Sequence, residues 1–444
     1  MSFRRKLCFG VSTAAILMSF GGLLNLLAPP PCPLRFSADA GLLPPRSSLA
    51  TAGQANAIPA FARKFNVNCM TCHIAPPYLN KTGRLFKERG YLFPNEDGQI
   101  EESMQQHQKI TGSLILEKYL PLAFRVQSLP ADVVPANADG SGAQYEFSPV
   151  NYVALMGMGN TFDYGSFNII AEATAPSVVN LTDLTQNGFS FDINAKIGFH
   201  PLSYINVVAG YAPVMSTDPY PSLTSADTPL TIHPRILLAS GFDSGVTMSD
   251  AAPFLSIYGR AGIVYYRAGL SAPPGGMVAV NPSLAQARVA VDVTEIVEIG
   301  AFGLGGKATV PAVNPAAGAS TTTNFSLWRT GLDMNVTSSN YALTLLGLVA
   351  GDAPQGSGAD VNCGASGEFM YVTYLKGRPF LLPVGRLEWV QANNGSSNRV
   401  TGFAGLSGFV RDNIRIGLDG SVDLRPAAGS SRIWRGTLYG DLVF

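Results

Sequence analysis

Cys69-Met70-Thr71-Cys72-His73 is the stretch of this 444-residue chain whose residue types and spacing can do chemistry. Two thiols three positions apart, followed at once by an imidazole, suit covalent attachment of a haem. Each thiol adds across a vinyl group, and the histidine turns onto the iron as proximal ligand. A C-x-x-C can also be a zinc half-site or a redox dithiol. Zinc needs a second ligand pair of similar spacing, and no other Cys or His pair of that kind exists in the chain. A thioredoxin-like dithiol belongs in a βαβ pattern, which is absent. The motif therefore predicts one covalently bound c-type haem on Cys69, Cys72 and His73, provided that the chain leaves the cytoplasm.

Other residues near the motif are candidates for the same site. His107 lies close enough in sequence to fold back over the haem as distal ligand, and Met104 is the sulfur alternative, which raises the potential relative to His. His200 and His233 each precede or adjoin a proline and read as loop residues. Arg63 and Arg84 flank the motif and can pair with the haem propionates, Arg through a bidentate contact. Gly83, within a helical stretch, costs up to ~1 kcal/mol against Ala, which suggests close approach to the haem face.

The N-terminus supplies the export condition. Arg4, Arg5 and Lys6 precede the uncharged, mostly apolar run from Leu7 to Ala28, and a small-residue site at Ala55-Asn56-Ala57 follows. Residues 1–57 are expected to be a leader, although Leu7–Ala28 also has the ~20 residues of a spanning anchor. Removing them takes five basic residues and Asp39, so the rest carries 25 basic against 29 acidic residues, net −4. No basic patch argues for nucleic acid.

The remainder divides unevenly. Residues 58–112 read as a short, locally helical cytochrome-like segment, too small to bury much surface without a staple or a surrounding wall. Residues 113–444 show segments of roughly ten residues that alternate apolar and polar side chains between Gly-, Asn-, Asp-, Ser- and Pro-rich turns. In 414–425, Ile414, Ile416, Leu418, Val422 and Leu424 share one face, and Arg415, Asp419, Ser421, Asp423 and Arg425 the other. Alternation alone also fits a soluble sandwich. A transmembrane β-barrel is favoured by the aromatic C-terminus after an alternating strand, by the length without a domain linker, and by a chain that is 46% hydrophobic and only 14% charged.

Fifteen candidate strands run from 113–127 to 431–444, one of them at 231–241. Two, 254–269 and 287–308, are long enough to hide another. An even count then gives about sixteen strands, with fourteen the fallback. Loops near 128–144, 215–230, 270–286, 309–323 and 351–366 are expected on the extracellular side, and Trp328, Trp389 and Trp434 in interfacial girdles.

The run Ala57-Ile58-Pro59-Ala60-Phe61-Ala62-Arg63-Lys64, then Cys69-x-x-Cys72-His73, Leu79, Thr82-Gly83-Arg84, Phe86-Lys87 and Gly90-Tyr91 resembles the signature of the fused monohaem cytochrome–porins, outer-membrane proteins of iron-oxidising bacteria and their relatives. The motif match covers roughly residues 57–91; beyond it the likeness is architectural. The resemblance implies a small cytochrome plug at or inside the mouth of an outer-membrane barrel. It also implies electron uptake from extracellular Fe(II), with delivery to a periplasmic carrier such as a cytochrome c or a cupredoxin. That would make the protein an Fe(II)-oxidising oxidoreductase. Exchange with another extracellular donor or acceptor, or a diffusion porin with a structural haem, are the alternatives.

Overall fold

A strand places successive side chains on opposite faces, and this chain turns its apolar set outward. In the computed structural model, Ile197, Leu332 and Leu418 are 68%, 53% and 60% exposed, whereas Arg329 and Asp419 are 1% and 2% exposed. A soluble sandwich would hide the apolar face and show the charged one. Apolar-out, polar-in is the arrangement of a barrel wall in lipid.

The structure describes residues 61, 67–76, 78–92, 122–136, 141–162, 164–174, 190–223, 235–240, 242, 244–273, 283–311, 322–354, 360–392, 397–411, 414–426 and 433–443. A small N-terminal unit comes first: a 3-10 turn at Cys69–Thr71, the two-stranded ribbon β1 (His73–Ala75) and β2 (Tyr78–Leu79), and helix α1 (Lys81–Glu88). The wall begins with β3 (Leu122–Val134), β4 (Gln144–Phe162), β5 (Gly165–Thr174), β6 (Ser190–Phe199) and β7 (Asn206–Pro213). After a long connection that includes helix α2 (Ile236–Ala239) come β8 (Ala251–Ala261), β9 (Val264–Ser271), β10 (Leu284–Asp292) and β11 (Val297–Pro311). Then follow β12 (Thr322–Thr337), β13 (Tyr341–Pro354), β14 (Asp360–Tyr371) with its short continuation β15 (Thr373–Leu375), and β16 (Arg378–Ala392). The last three are β17 (Ser397–Arg411), β18 (Ile414–Arg425) and β19 (Trp434–Val443).

Each wall strand pairs antiparallel with its neighbour, and β19 returns to β3 with Leu442 opposite Val126 and Gly436 opposite Val133. Both β14 and β15 pair with β16, so they are one interrupted strand and the closed barrel has sixteen. Each of the two long candidates does split into a hairpin, at the Gly262-Ile263 turn and at residues 293–296. The candidate strand at 231–241 is overturned. Its described part is a short helix inside the barrel, with Leu237 and Leu238 buried against Phe302, Leu346 and Leu348. Ile236-Leu237-Leu238-Ala239 does not alternate, so it cannot show one face to lipid and another to water. The β3 boundary also moves: it starts at Leu122, and residues 113–121 lie outside the described set.

The two ends of the barrel differ. One carries tight turns such as Lys376-Gly377, where both residues take positive φ (52° and 76°), as a two-residue hairpin loop requires. The other carries the longer connections. In outer-membrane barrels the short turns face the periplasm. Residues 128–134 and 360–366, expected in loops, instead extend β3 and β14. The described parts of the connection from β7 to β8, which was expected outside, fold inward, with Tyr220, Leu223 and Arg235 buried. Trp328, Trp389 and Trp434 lie in the long-loop halves of β12, β16 and β19.

The outward face gives a direct test. Leu418→Arg places a guanidinium in lipid near mid-strand, where such a charge costs about 2–4 kcal/mol. Denaturant unfolding in bilayers should show that loss, whereas Leu418→Ile should stay close to the parent.

Candidate cofactor site

The five motif residues form a built local structure. Asn68 caps the 3-10 turn by accepting from Met70 N at 3.1 Å, and Cys72 N donates to Cys69 O at 3.1 Å. Cys72 follows Cys69 at the i, i+3 spacing that a 3-10 turn brings towards one face, and it is the C-cap of that turn. Neither cysteine is in a disulfide. Burial pushes the Cys72 thiol up to about 11, so it is protonated at neutral pH.

Helix α1 packs directly on this turn. A Cβ at Gly83 would lie 2.1 Å from Cys72 O, so only glycine permits the contact. Its close approach is thus to the motif's own backbone, not to a haem face. Gly90, with φ of 68°, ends the helix and sits against the His200 ring, where a Cβ would come within 2.3 Å.

The unit is a plug at the short-turn end of the lumen, and it completes its core with the wall. Ile74, Ala75 and Tyr78 are buried with Ala342, Met370, Val372, Leu382 and Val384, an apolar interruption of the polar lumen. Polar anchors surround that contact. Tyr78 Oη shares a hydrogen bond with Thr344 Oγ1 at 3.2 Å, and Tyr374 Oη donates to Ile74 O at 2.9 Å. Glu88 pairs with Arg260 at 3.0 Å, and Arg260 also holds Asp292 at 2.7 Å. Lys87 Nζ donates to Asp218 O, in the inward-folded connection, at 2.8 Å. Removing one partner of a buried pair such as Glu88–Arg260 typically costs about 3–5 kcal/mol.

Between plug and wall lies a cavity of about 450 Å³. The plug contributes Met70, His73, Ile74, Asn80, Lys81 and Thr82; turns and strand ends of the wall contribute Glu295, Ile296, Thr337, Ser338, Ser339, Tyr374 and Gly377. That volume is within the ~300–1,000 Å³ of cofactor sites. The His73 imidazole and a mixed apolar and hydroxyl lining suit a haem, whereas neither thiol is among the lining residues, and Cys69 borders a separate small pocket with Arg378, Pro379 and Phe409.

Among the candidate residues, Cys69 opens the 3-10 turn, Cys72 is its C-cap, and His73 is the first residue of β1. Arg84 is buried and donates to Thr337 Oγ1 at 3.0 Å, with its guanidinium over the Tyr220 ring. It reaches the cavity only through Thr337. The basic residue that lines the cavity is Lys81, which sequence reasoning missed. Arg63, Met104, His107 and His233 lie outside the described residues. His200 is a turn residue as expected, with Nε2 2.6 Å from Ser166 Oγ and Nδ1 2.9 Å from Tyr258 Oη. No group of three or more His, Cys, Asp or Glu side chains able to hold a separate metal ion occurs among the described residues.

No family model and no curated protein matches this chain. Solved structures do. A loop L8 deletion mutant of OmpT, an outer-membrane protein of Vibrio cholerae, is 12% identical, covering 74% of this chain and 100% of its own, with a TM-score of 0.52. The anion-selective porin of Comamonas acidovorans is 12% identical over 73% of this chain and 99% of its own, TM-score 0.50. Pseudomonas putida OprB is 10% identical over 74% and 94%, TM-score 0.50. At such identities the likeness is one of fold: this chain is an outer-membrane β-barrel with porin architecture.

The plug contact predicts a pH dependence. Burial pulls the Lys87 ammonium down to about 8 from an ordinary 10.5, opposed by Asp218 and reinforced by Arg267. Between those values the unfolded chain holds a proton that the folded chain has released, so stability rises with pH through that window. Thermal unfolding in detergent at pH 7.5, 9 and 10.5 should show this rise, and Lys87→Met should lack it.

Proposed function

We propose that this barrel is an electron conduit of the outer membrane, which accepts electrons from extracellular Fe(II) through one c-type haem and passes them to a periplasmic carrier. The observation that carries the reading is the pair Cys69 and Cys72 on one 3-10 turn, with His73 lining a haem-sized cavity at the short-turn mouth. Cys69 and Cys72 would hold the group by thioethers, and His73 would be its proximal ligand. When bound, the haem supplies a one-electron redox centre whose potential follows from its axial ligands, hydrogen bonds and burial. Ile74, Ile296 and Tyr374 give the cavity apolar surface for a porphyrin, while Lys81, Thr82 and Ser338 offer polar contacts for carboxylates. Arg84 steadies the cavity wall by way of Thr337. In this reading His107 or Met104 would supply a second iron ligand, and Arg63 would pair with a propionate.

The arrangement answers a physical need. Oxidising Fe(II) inside a cell leaves poorly soluble Fe(III) behind, so an oxidase gains by importing only the electron. An apolar band ~25 Å tall is an insulator that a plain barrel does not bridge. A plug seated in the lumen brings a redox-competent motif within the barrel, with the periplasmic side open to a cytochrome c or cupredoxin.

A diffusion porin with a structural haem is the second reading, favoured by the fold likeness to porins. Planar-bilayer conductance separates the two, since the plug and the inward connection both occupy the lumen. Large, stable open-pore currents would support the porin.

Anaerobic addition of Fe(II) to the oxidised, purified protein should reduce the haem, followed at its α-band. No reduction at any pH tested would sink the iron-oxidase reading. Replacing both Cys69 and Cys72 by Ala should abolish covalent haem staining; a persistent stain would undo the attachment itself.

A further inference from the structure

A three-residue 3-10 turn is not stable by itself, yet the attachment chemistry needs it intact. That conformation sets how Cys69 and Cys72 face one another. Asn68 caps its start, and a second hold comes from eight residues beyond the second thiol, in a residue outside the motif.

Asn80 is the N-cap of α1, and its carboxamide is used at both ends. Oδ1 accepts from Gly83 N at 3.0 Å, satisfying one of the orphan amides of the helix. Nδ2 donates to Met70 O at 3.2 Å and to Thr71 O at 3.1 Å, the carbonyls of the two residues between the thiols. Its backbone N donates to Cys72 O at 2.9 Å. Gly83 closes the joint, with no room for a Cβ against Cys72 O.

We propose that Asn80 is the positioning residue of the attachment site, the clamp that keeps the two thiols convergent for two-point linkage. The inference deepens the haem reading, yet it concerns this chain's own conformation. The roles of its two amide ends can be separated chemically. Aspartate and serine both cap a helix well, so either retains the acceptor for Gly83 N. Neither can donate to both turn carbonyls. Either substitution therefore leaves α1 capped and loosens the turn, which keeps its Asn68 cap and the bond from the backbone N of residue 80 to Cys72 O.

Two readouts test this, one without haem. The mature chain from residue 58 holds three cysteines, Cys69, Cys72 and Cys363 of β14; in haem-free barrel carrying Cys363→Ser, dibromobimane becomes fluorescent only when it bridges Cys69 and Cys72. The bridging rate in Asn80→Asp should fall roughly tenfold, as expected from two lost hydrogen bonds. Asn80→Ser should behave alike, and heat-modifiable migration identifies which variants remain folded barrels. In haem-loaded protein, the pyridine haemochrome band of Asn80→Asp should move from the doubly towards the singly linked position. Wild-type bridging in either folded variant overturns the clamp. Absence of covalent haem from the parent protein would instead strike the proposed function and leave the bridging result standing.

Discussion

In a bilayer core no water is present to pair a backbone amide, so a membrane-crossing sheet has to close on itself. The seam between β19 and β3 meets that demand, and the rest of the architecture depends on it. Once the wall is closed, alternation leaves one face to lipid and one to an interior. Ile416, Leu418 and Leu424 take the first; Arg415, Asp419 and Asp423 take the second. A charged inner face is then inevitable, and every buried charge on it needs a partner.

Those partners come from across the wall and from segments folded into the lumen. Arg288 on β10 is surrounded by Glu298 on β11, Asp333 on β12 and Asp218 on the inward connection, at 2.9, 2.6 and 2.8 Å. Arg386 pairs with Glu368 and Glu388. Arg235, from the connection, reaches Glu368 at 3.0 Å, and Leu237 N, beside it, donates to Glu388. The plug enters the same network through Glu88 and Lys87. The lumen is therefore an interior of ion pairs interrupted by apolar clusters, in which plug, connection and wall each satisfy groups that the others leave exposed. This is how a segment too short for a core of its own becomes ordered: it borrows apolar wall at Val372 and Leu382 and charged wall at Arg260.

Much of the barrel was legible because its rule is local. A two-residue period identifies lipid-facing Leu332 and lumen-facing Arg329 without knowledge of any partner strand. The boundary errors arise where locality fails. Ile236–Ala239 has strand-like composition, and only the lumen cluster of Phe302, Leu346 and Leu348 gives its leucines a place to be buried as a helix. Likewise the spacing of Cys69, Cys72 and His73 is a local property of the chain, and Asn80, three residues before Gly83, carries an ordinary N-cap signal. Its second role, donating to Met70 O and Thr71 O, was not readable, because it arises from the ribbon that folds α1 back onto the turn.

The sequence by itself determined the inventory and the periodicity: two thiols and an imidazole at attachment spacing, and strands whose apolar faces required lipid. Those are properties of near neighbours along the chain, where steric geometry dictates which side chains share a face. Tertiary structure alone decided that Arg84 is spent on Thr337 and Tyr220, that Lys81 instead lines the cavity, and that Gly83 serves the Cys72 carbonyl. Each depends on segments hundreds of residues apart, or on a chain reversal, being brought to within a hydrogen bond of one another. Only closure of the wall and docking of the plug could bring them there.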